Sequence, residues 1–209
     1  MRAAAEEIRL LHADRQLLVV EKPAGLLCQP GLGPDLADSL LTRLRDRWPT
    51  AQLVHRLDRD TSGLLLVALD AELHRALSGL FAERQMHKLY LADVAGVPGP
   101  EQGTIALAIA KRSHRPPLYG VDPQGRPSLT RWRRLQPAAD GRSCRLELRP
   151  HTGRSHQLRV HLQAIGHPIL GDPLYGSPGR GRLRLHACTL AFQDPRSAER
   201  LEFHSPCPF

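Results

Sequence analysis

The 209-residue sequence predicts an α+β fold. Strand-length apolar or alternating runs recur along the chain and outnumber the helical stripes. Several of these runs are joined by short turn-like segments, as in antiparallel hairpins, and only three or four stretches repeat apolar residues at helical spacing. Taken in order, residues 8–12 and 17–21 read as a hairpin turning at Asp14 and Arg15. Pro23 and Gly25 end its second strand. After a Pro- and Gly-rich loop at 29–34, the residues Leu36, Leu40, Leu41, Leu44 and Trp48 predict a helix, with Asp35 as N-cap and Pro49 as stop. Arg43, Arg45 and Arg47 line its outer face.

The apolar run at 64–69 has the length and composition of a buried strand. Asp70 can cap a second helix with Leu73, Leu77, Leu80 and Phe81 as its core stripe. Residues 86–94 alternate, with Lys88, Tyr90 and Ala92 on one face and Leu89, Leu91 and Asp93 on the other. The stretch 98–127 is rich in Pro and Gly, and it predicts a mobile or plainly exposed loop around a short strand at 104–109 and the basic run 111–115. Residues 129–135 and 144–149 form a second hairpin with Cys144, Leu146 and Leu148 facing inward. Leu158, Leu162 and Ile165 share a helical face, with Ser155 in N-cap position and Gly166 at C′. Two closing strands follow at 183–192 and 201–204, with His186 buried.

Lysine and arginine number 29 against 21 acidic residues, a formal charge of +8. Such an excess predicts an anionic partner, with nucleic acid first among candidates. Only Lys22, Lys88 and Lys111 are lysines, so arginine carries most of the charge; its planar fork suits phosphates and bases, though a general preference for Arg over Lys would look the same. The four cysteines are scattered without a Cys-x-x-Cys pair and read as reduced thiols. No apolar segment at the N-terminus resembles a signal peptide, and no run approaches a membrane span. A soluble, cytoplasmic monomer is expected, folded as a single domain over residues 1–209. His151, His156 and His161 are five apart and share no helical face, so no metal is expected.

The densest chemistry lies at 55–69, where Arg56, Asp58, Arg59 and Asp60 precede a Thr-Ser-Gly turn. Flanking arginines favour an ionised carboxylate, suited to a nucleophile or base. By spacing alone, the same residues also fit a surface turn of neighbouring ion pairs. A second hot stretch places Arg154, His156 and Arg159 around a helix start, a natural anion site for a phosphate or for the carboxylate of Asp58.

Order adds information that composition lacks. His55-Arg56-Leu57-Asp58-x-x-Thr61-Ser62-Gly63-Leu64 resembles the catalytic motif of the RluA-type pseudouridine synthases. Residues 18–26 resemble the first motif of that family, Lys88-x-Tyr90 its strand motif, and Thr152-Gly153-Arg154-x-His156-Gln157-Leu158-Arg159 its third. The turn-rich stretch 166–176 is also similar. The resemblance covers residues 8–205 and is nearest to the short members without an S4-like domain. Cys28 and His151 depart from the usual residues at their positions.

This resemblance implies a mixed, largely antiparallel sheet in two halves with packed helices and a cleft between the halves. It implies an isomerase acting on uridines of structured RNA, ribosomal RNA or a tRNA anticodon stem-loop, with no cofactor. Asp58 would be the nucleophile, Tyr90 would line the uracil pocket, and Arg154 would pair with Asp58. Arg56 would fill the gap left by a flipped base. His156, Arg159, Lys111, Arg112 and Arg115 complete the expected RNA contacts. Two other classes stay in view: a noncatalytic RNA-binding protein that kept the fold, and an Asp-dependent hydrolase, which would want a cluster of metal-binding carboxylates.

Overall fold

The computed structural model describes residues 8–114, 117–176 and 181–209. The chain divides into two compact units, residues 1–87 with 187–206, and 88–186 with 207–209. Along the chain the elements are β1 (Arg9–Ala13), β2 (Leu17–Lys22), α1 (Leu40–Arg45), β3 (Gln52–Leu53), β4 (Ser62–Ala68), α2 (Ala71–Ala82), β5 (His87–Ala95) and β6 (Gln102–Ile105). Then come β7 (Ile109–His114), β8 (Pro117–Val121), β9 (Thr130–Pro137), β10 (Ser143–Pro150), α3 (Gln157–Ala164), β11 (Leu185–Gln193) and β12 (Arg200–His204). The fold is α+β with a largely antiparallel sheet arrangement, as the sequence predicts.

In the first unit the strand order is β1-β2-β4-β11, with β12 along β11 and β3 along β4. Every residue of β4 is buried, because this strand is covered on both faces. Leu64 and Leu66 pack with Leu17, Val19 and the α2 residues Leu73 and Leu77. Leu65 and Val67 pack on the other side with Leu18, Val20 and the α1 residues Leu40 and Leu44. Two-sided burial explains why β2 and β4 read as unbroken apolar runs instead of alternating ones. Asp70 caps α2 as expected, its side chain accepting from the Leu73 amide at 2.8 Å.

The first helix differs from its sequence reading. Residues 34–36 form only a 3-10 turn, and α1 begins at Leu40, capped by Ser39 and not by Asp35. Ser39 and Thr42 cap each other reciprocally, giving the last apolar residues of the stripe a helix start of their own.

In the second unit the order is β5-β10-β9-β6, with β7 and β8 as a separate hairpin. Ala92, Val94, Trp132, Leu146 and Leu148 make the core face, against which Leu158 and Leu162 of α3 pack. The stretch 98–127, expected as a mobile or plain loop around one short strand at 104–109, holds three strands, β6, β7 and β8, which make up half of it; short alternation interrupted by Pro and Gly masks the β pattern.

His161 sits fully buried in this unit. Its Nε2 is 3.0 Å from the Leu107 carbonyl, which can only accept, so the ring proton is there; Nδ1 then accepts from the Thr130 hydroxyl at 2.9 Å. Burial lowers its pKa below the ordinary 6.5. The native state therefore binds fewer protons than the unfolded chain once the pH drops below that value. Stability is full above pH 6.5 and is lost as the pH falls from there through the lowered native pKa. Urea unfolding between pH 8 and pH 5 checks this, and His161→Gln should flatten the part of the pH dependence that His161 causes.

Candidate active site

In the first unit, the loop that carries Asp58 is held from below by a buried ammonium. Lys22, at the end of β2, is fully buried, and its Nζ donates to the carbonyls of Pro23 at 2.7 Å, Leu26 at 2.8 Å and Arg59 at 2.8 Å. The amide of Gly25 donates to the same Arg59 carbonyl at 2.9 Å. Two loops distant in sequence, 23–26 and 57–61, are thereby joined around one charge. Cys28 adds a second tie: its thiol donates to the Leu57 carbonyl at 3.1 Å and accepts from the Leu57 amide at 3.3 Å. Burial pushes this thiol's pKa up, so it stays protonated and able to donate.

The loop's own residues complete the turn. Thr61 donates its amide to the Asp58 carbonyl at 3.1 Å. His55 accepts the Leu66 amide at its Nε2, 3.1 Å away, and its ring stacks on Phe81 with centroids 4.5 Å apart. Gly63 follows with φ +118°, and a Cβ there would lie 2.3 Å from the Ala187 carbonyl oxygen. Only glycine lets β4 start so close to β11. Of the two carboxylates, Asp60 is engaged with the exposed Arg59 at 3.2 Å. Arg56 is exposed and Asp58 is half-buried.

The second unit carries the remaining candidates. Tyr90 lies on the core face of β5, opposite Leu148 in the register and against the main cluster. Burial lowers the pKa of Lys88 on the same face. Arg154 is set by a network that the sequence reading did not assign. The buried amide of Gln157 accepts the Arg154 amide at 3.0 Å and the Thr152 hydroxyl at 2.7 Å, and donates to Leu129 and Thr130 at 3.0 Å each. All four of its hydrogen-bonding capacities are used. The Nε of Arg154 is buried and has no hydrogen-bond partner among the described residues.

Two expectations for this stretch change. The residue before α3 is His156, not Ser155, and it takes a left-handed conformation with φ 55° and no side-chain cap. Its Nδ1 is bonded to the Tyr175 hydroxyl at 2.7 Å, and its ring meets Tyr119 edge-on. Arg159, expected on RNA, is 2% exposed and makes two 2.8 Å bonds to Asp172. That guanidinium also lies over the Tyr175 ring, 5.0 Å from its centroid. Arg159 therefore locks the 172–175 turn onto α3. The pair holds the Asp172 carboxyl below the usual range despite burial.

Lys111 and Arg112 are exposed on β7, Lys111 beside His114 and Arg112 paired with Asp122 at 3.0 Å. Arg115 lies outside the described residues. Among the described residues no group of His, Cys, Asp and Glu could hold a metal ion, and no helix is long and apolar enough to cross a membrane.

Comparison with known proteins gives a consistent result. A family model described as RNA pseudouridylate synthase matches residues 16–164. The chain is 42% identical over 205 residues to the dual-specificity RNA pseudouridine synthase RluA of Escherichia coli (strain K12), covering 96% of this chain and 93% of that one. It is 40% identical to the protein of the same name from Yersinia pestis, covering 96% and 99%. The solved structure of human RNA pseudouridylate synthase domain containing 1 superposes with a TM-score of 0.82 at 34% identity, over 100% of this chain and 87% of that one.

The Lys22 cluster generates a direct test. Lys22→Met keeps the length and apolar stem but strands three carbonyls, so it should lower unfolding free energy by on the order of 3 kcal/mol. Urea denaturation measures this, and Cys28→Ser, which keeps a donor and an acceptor, should lose much less.

Proposed function

The chain belongs to the RNA pseudouridylate synthase family, and on that premise we propose that Asp58 is the nucleophile with which it isomerises uridine in structured RNA. The protein is an RNA pseudouridine synthase. The observation that carries the assignment of Asp58 is the anchoring of its loop: Lys22 and Cys28 fix the backbone on both sides of it. A nucleophile needs its loop held still.

In the reaction the C1′–N1 bond of uridine breaks and a C1′–C5 bond forms. N1 gains a proton and C5 loses one, so no redox partner or cofactor enters the balance. Asp58 acts as the nucleophile, at C1′ of the ribose or C6 of the base, and the intermediate lets uracil turn before reattachment. Arg154 binds an anion of the reacting complex, and the family resemblance names the Asp58 carboxylate as that anion; the buried, unpartnered Nε supports an anionic neighbour. Arg56 fills the space left by the extruded uridine, and Tyr90 lies against the flipped base. Arg56 has the exposure that this role needs.

We further propose that residues 1–209 act as one catalytic domain, as a monomer in the cytoplasm, on ribosomal RNA and a tRNA stem-loop. The names of the 40–42% identical relatives, which specify dual specificity, support the substrate class. Lys111, Arg112, Arg115 and His156 are the proposed RNA contacts; Arg159 is not retained among them, because its guanidinium is buried against Asp172.

Asp58→Asn should abolish pseudouridine formation while RNA affinity and the unfolding midpoint stay near the parent values. Tritium release from C5-labelled uridine reads the turnover, and a near-parental rate would remove Asp58 from the chemistry. Arg154→Lys keeps one charge but loses the fork, so turnover should fall by at least about tenfold with a smaller change in KM.

A further inference from the structure

The outer face of the β5-β10-β9-β6 sheet carries an arrangement of charge that neither the candidate site nor the core uses. Antiparallel register sets Arg149 directly opposite Arg131, and Glu147 opposite Arg133. Thr104 and Gln102 of β6 continue the two rows without charge. Arg131, Arg133 and Arg149 are exposed. One carboxylate, Glu147, accepts from both Arg133 at 3.0 Å and Arg149 at 2.9 Å. Both arginines hold the pKa of Glu147 below its ordinary value, so it is ionised at neutral pH and the patch nets two positive charges. Arg131 has no carboxylate partner among the described residues.

Like charges directly opposite across two strands destabilise a sheet, and a face selected only for solubility would alternate signs. Three arginines on one carboxylate depart from that pattern. Phe209 lies under Arg145 on this side of β10, its ring already covered by that guanidinium, so the row of Arg131, Arg133 and Arg149 offers phosphates charge and hydrogen bonds. Tyr90 and α3 lie on the opposite, core-facing side of the same strands.

Resting on the RNA-modifying activity above, we propose that this arginine ladder is a second docking surface, for the phosphodiester backbone of the RNA substrate beyond the segment that enters the active site. It is sequence-independent, and its occupant is RNA long enough to reach the far side of the sheet from Tyr90. A minimal stem-loop that reaches only the active site leaves this face empty.

The test compares the double variant Arg131→Gln with Arg149→Gln against the parent, on a minimal stem-loop and on an intact rRNA transcript. Binding is measured across a salt series. On the long transcript the slope of log K against log [salt] should fall by about 2, one unit for each lost phosphate contact, with affinity at physiological salt reduced roughly tenfold or more. On the stem-loop neither slope nor turnover should change. The matching double lysine variant keeps both charges and should restore the long-RNA slope. An unchanged slope on the long transcript overturns the docking surface, as does a glutamine defect that lysine fails to restore. Pseudouridine formation by the parent is assayed in parallel. If the slope falls while no pseudouridine is made, the enzymatic reading fails and the surface stands. If turnover is normal and the slope does not move, the surface fails and the enzymatic reading stands.

Discussion

A buried ammonium group organises the loop that carries Asp58, the proposed nucleophile. Transferring the charge of Lys22 into the interior of the first unit is unfavourable unless it is well solvated by protein groups. Here three carbonyl oxygens take the place of water, and they come from the two loops that leave the paired ends of β2 and β4. Because the oxygens must converge on one nitrogen, the path of residues 23–26 fixes the path of residues 57–61. The Cys28 and Gly25 contacts act on the same two segments, so the loop's backbone is determined from several directions at once. A carboxylate on such a loop is preorganised without being packed away.

The second unit solves a comparable problem with an ion pair and an amide. Arg159 and Asp172 are both almost completely buried, and a pair in that position is only tolerable with good geometry and its other valences filled. Asp172 meets that condition, accepting from Arg159 twice and from the Leu174 and Tyr175 amides. The turn so formed presents the Tyr175 hydroxyl to His156 and to the Tyr119 amide, which ties the separate β7–β8 hairpin to the start of α3. An isolated two-stranded hairpin is marginal alone, so this anchoring is part of what lets it exist. Gln157 does the equivalent work on the other side of the same helix start, where it holds the backbone of Arg154.

These devices mark where the sequence was readable and where it was not. Periodicity located β2, β4, β9, β10 and α2, because each buries a face whose spacing survives in the residue pattern. The cap at Asp70 was legible for the same local reason. Ser39 was missed because Asp35, a comparably good cap, stands nearer the start of the apolar stripe, and only the three-dimensional path decides between them. The β7–β8 hairpin was read as loop because its strands are short, polar and broken by proline. The order of residues pointed to Asp58 and Arg154, but what holds them did not show. Lys22, Cys28 and Gln157 act through backbone atoms of distant segments, and a side chain that bonds to a carbonyl leaves no partner type in the sequence to pair it with. Arg159 was misread for the complementary reason: near a helix start it looked like part of an anion site, and its partner lay 13 residues on, in a turn.

Arginine number alone therefore says little about which arginines meet RNA. Arg145 and Arg184 are taken up by Asp93, Arg159 by Asp172, and Arg196 by Asp194 and Asp14. Taken together these four arginines and four aspartates cancel, and their work is to join strands and turns. What remains after this internal pairing is a smaller set, to which Arg56, Arg131 and Arg154 belong. The formal charge of +8 is the net excess over all acidic residues, paired or not, and it is this excess that a polyanion can neutralise. The Nε of Arg154 is buried and has no hydrogen-bond partner among the described residues, a state that fits the anion-binding role proposed for this side chain.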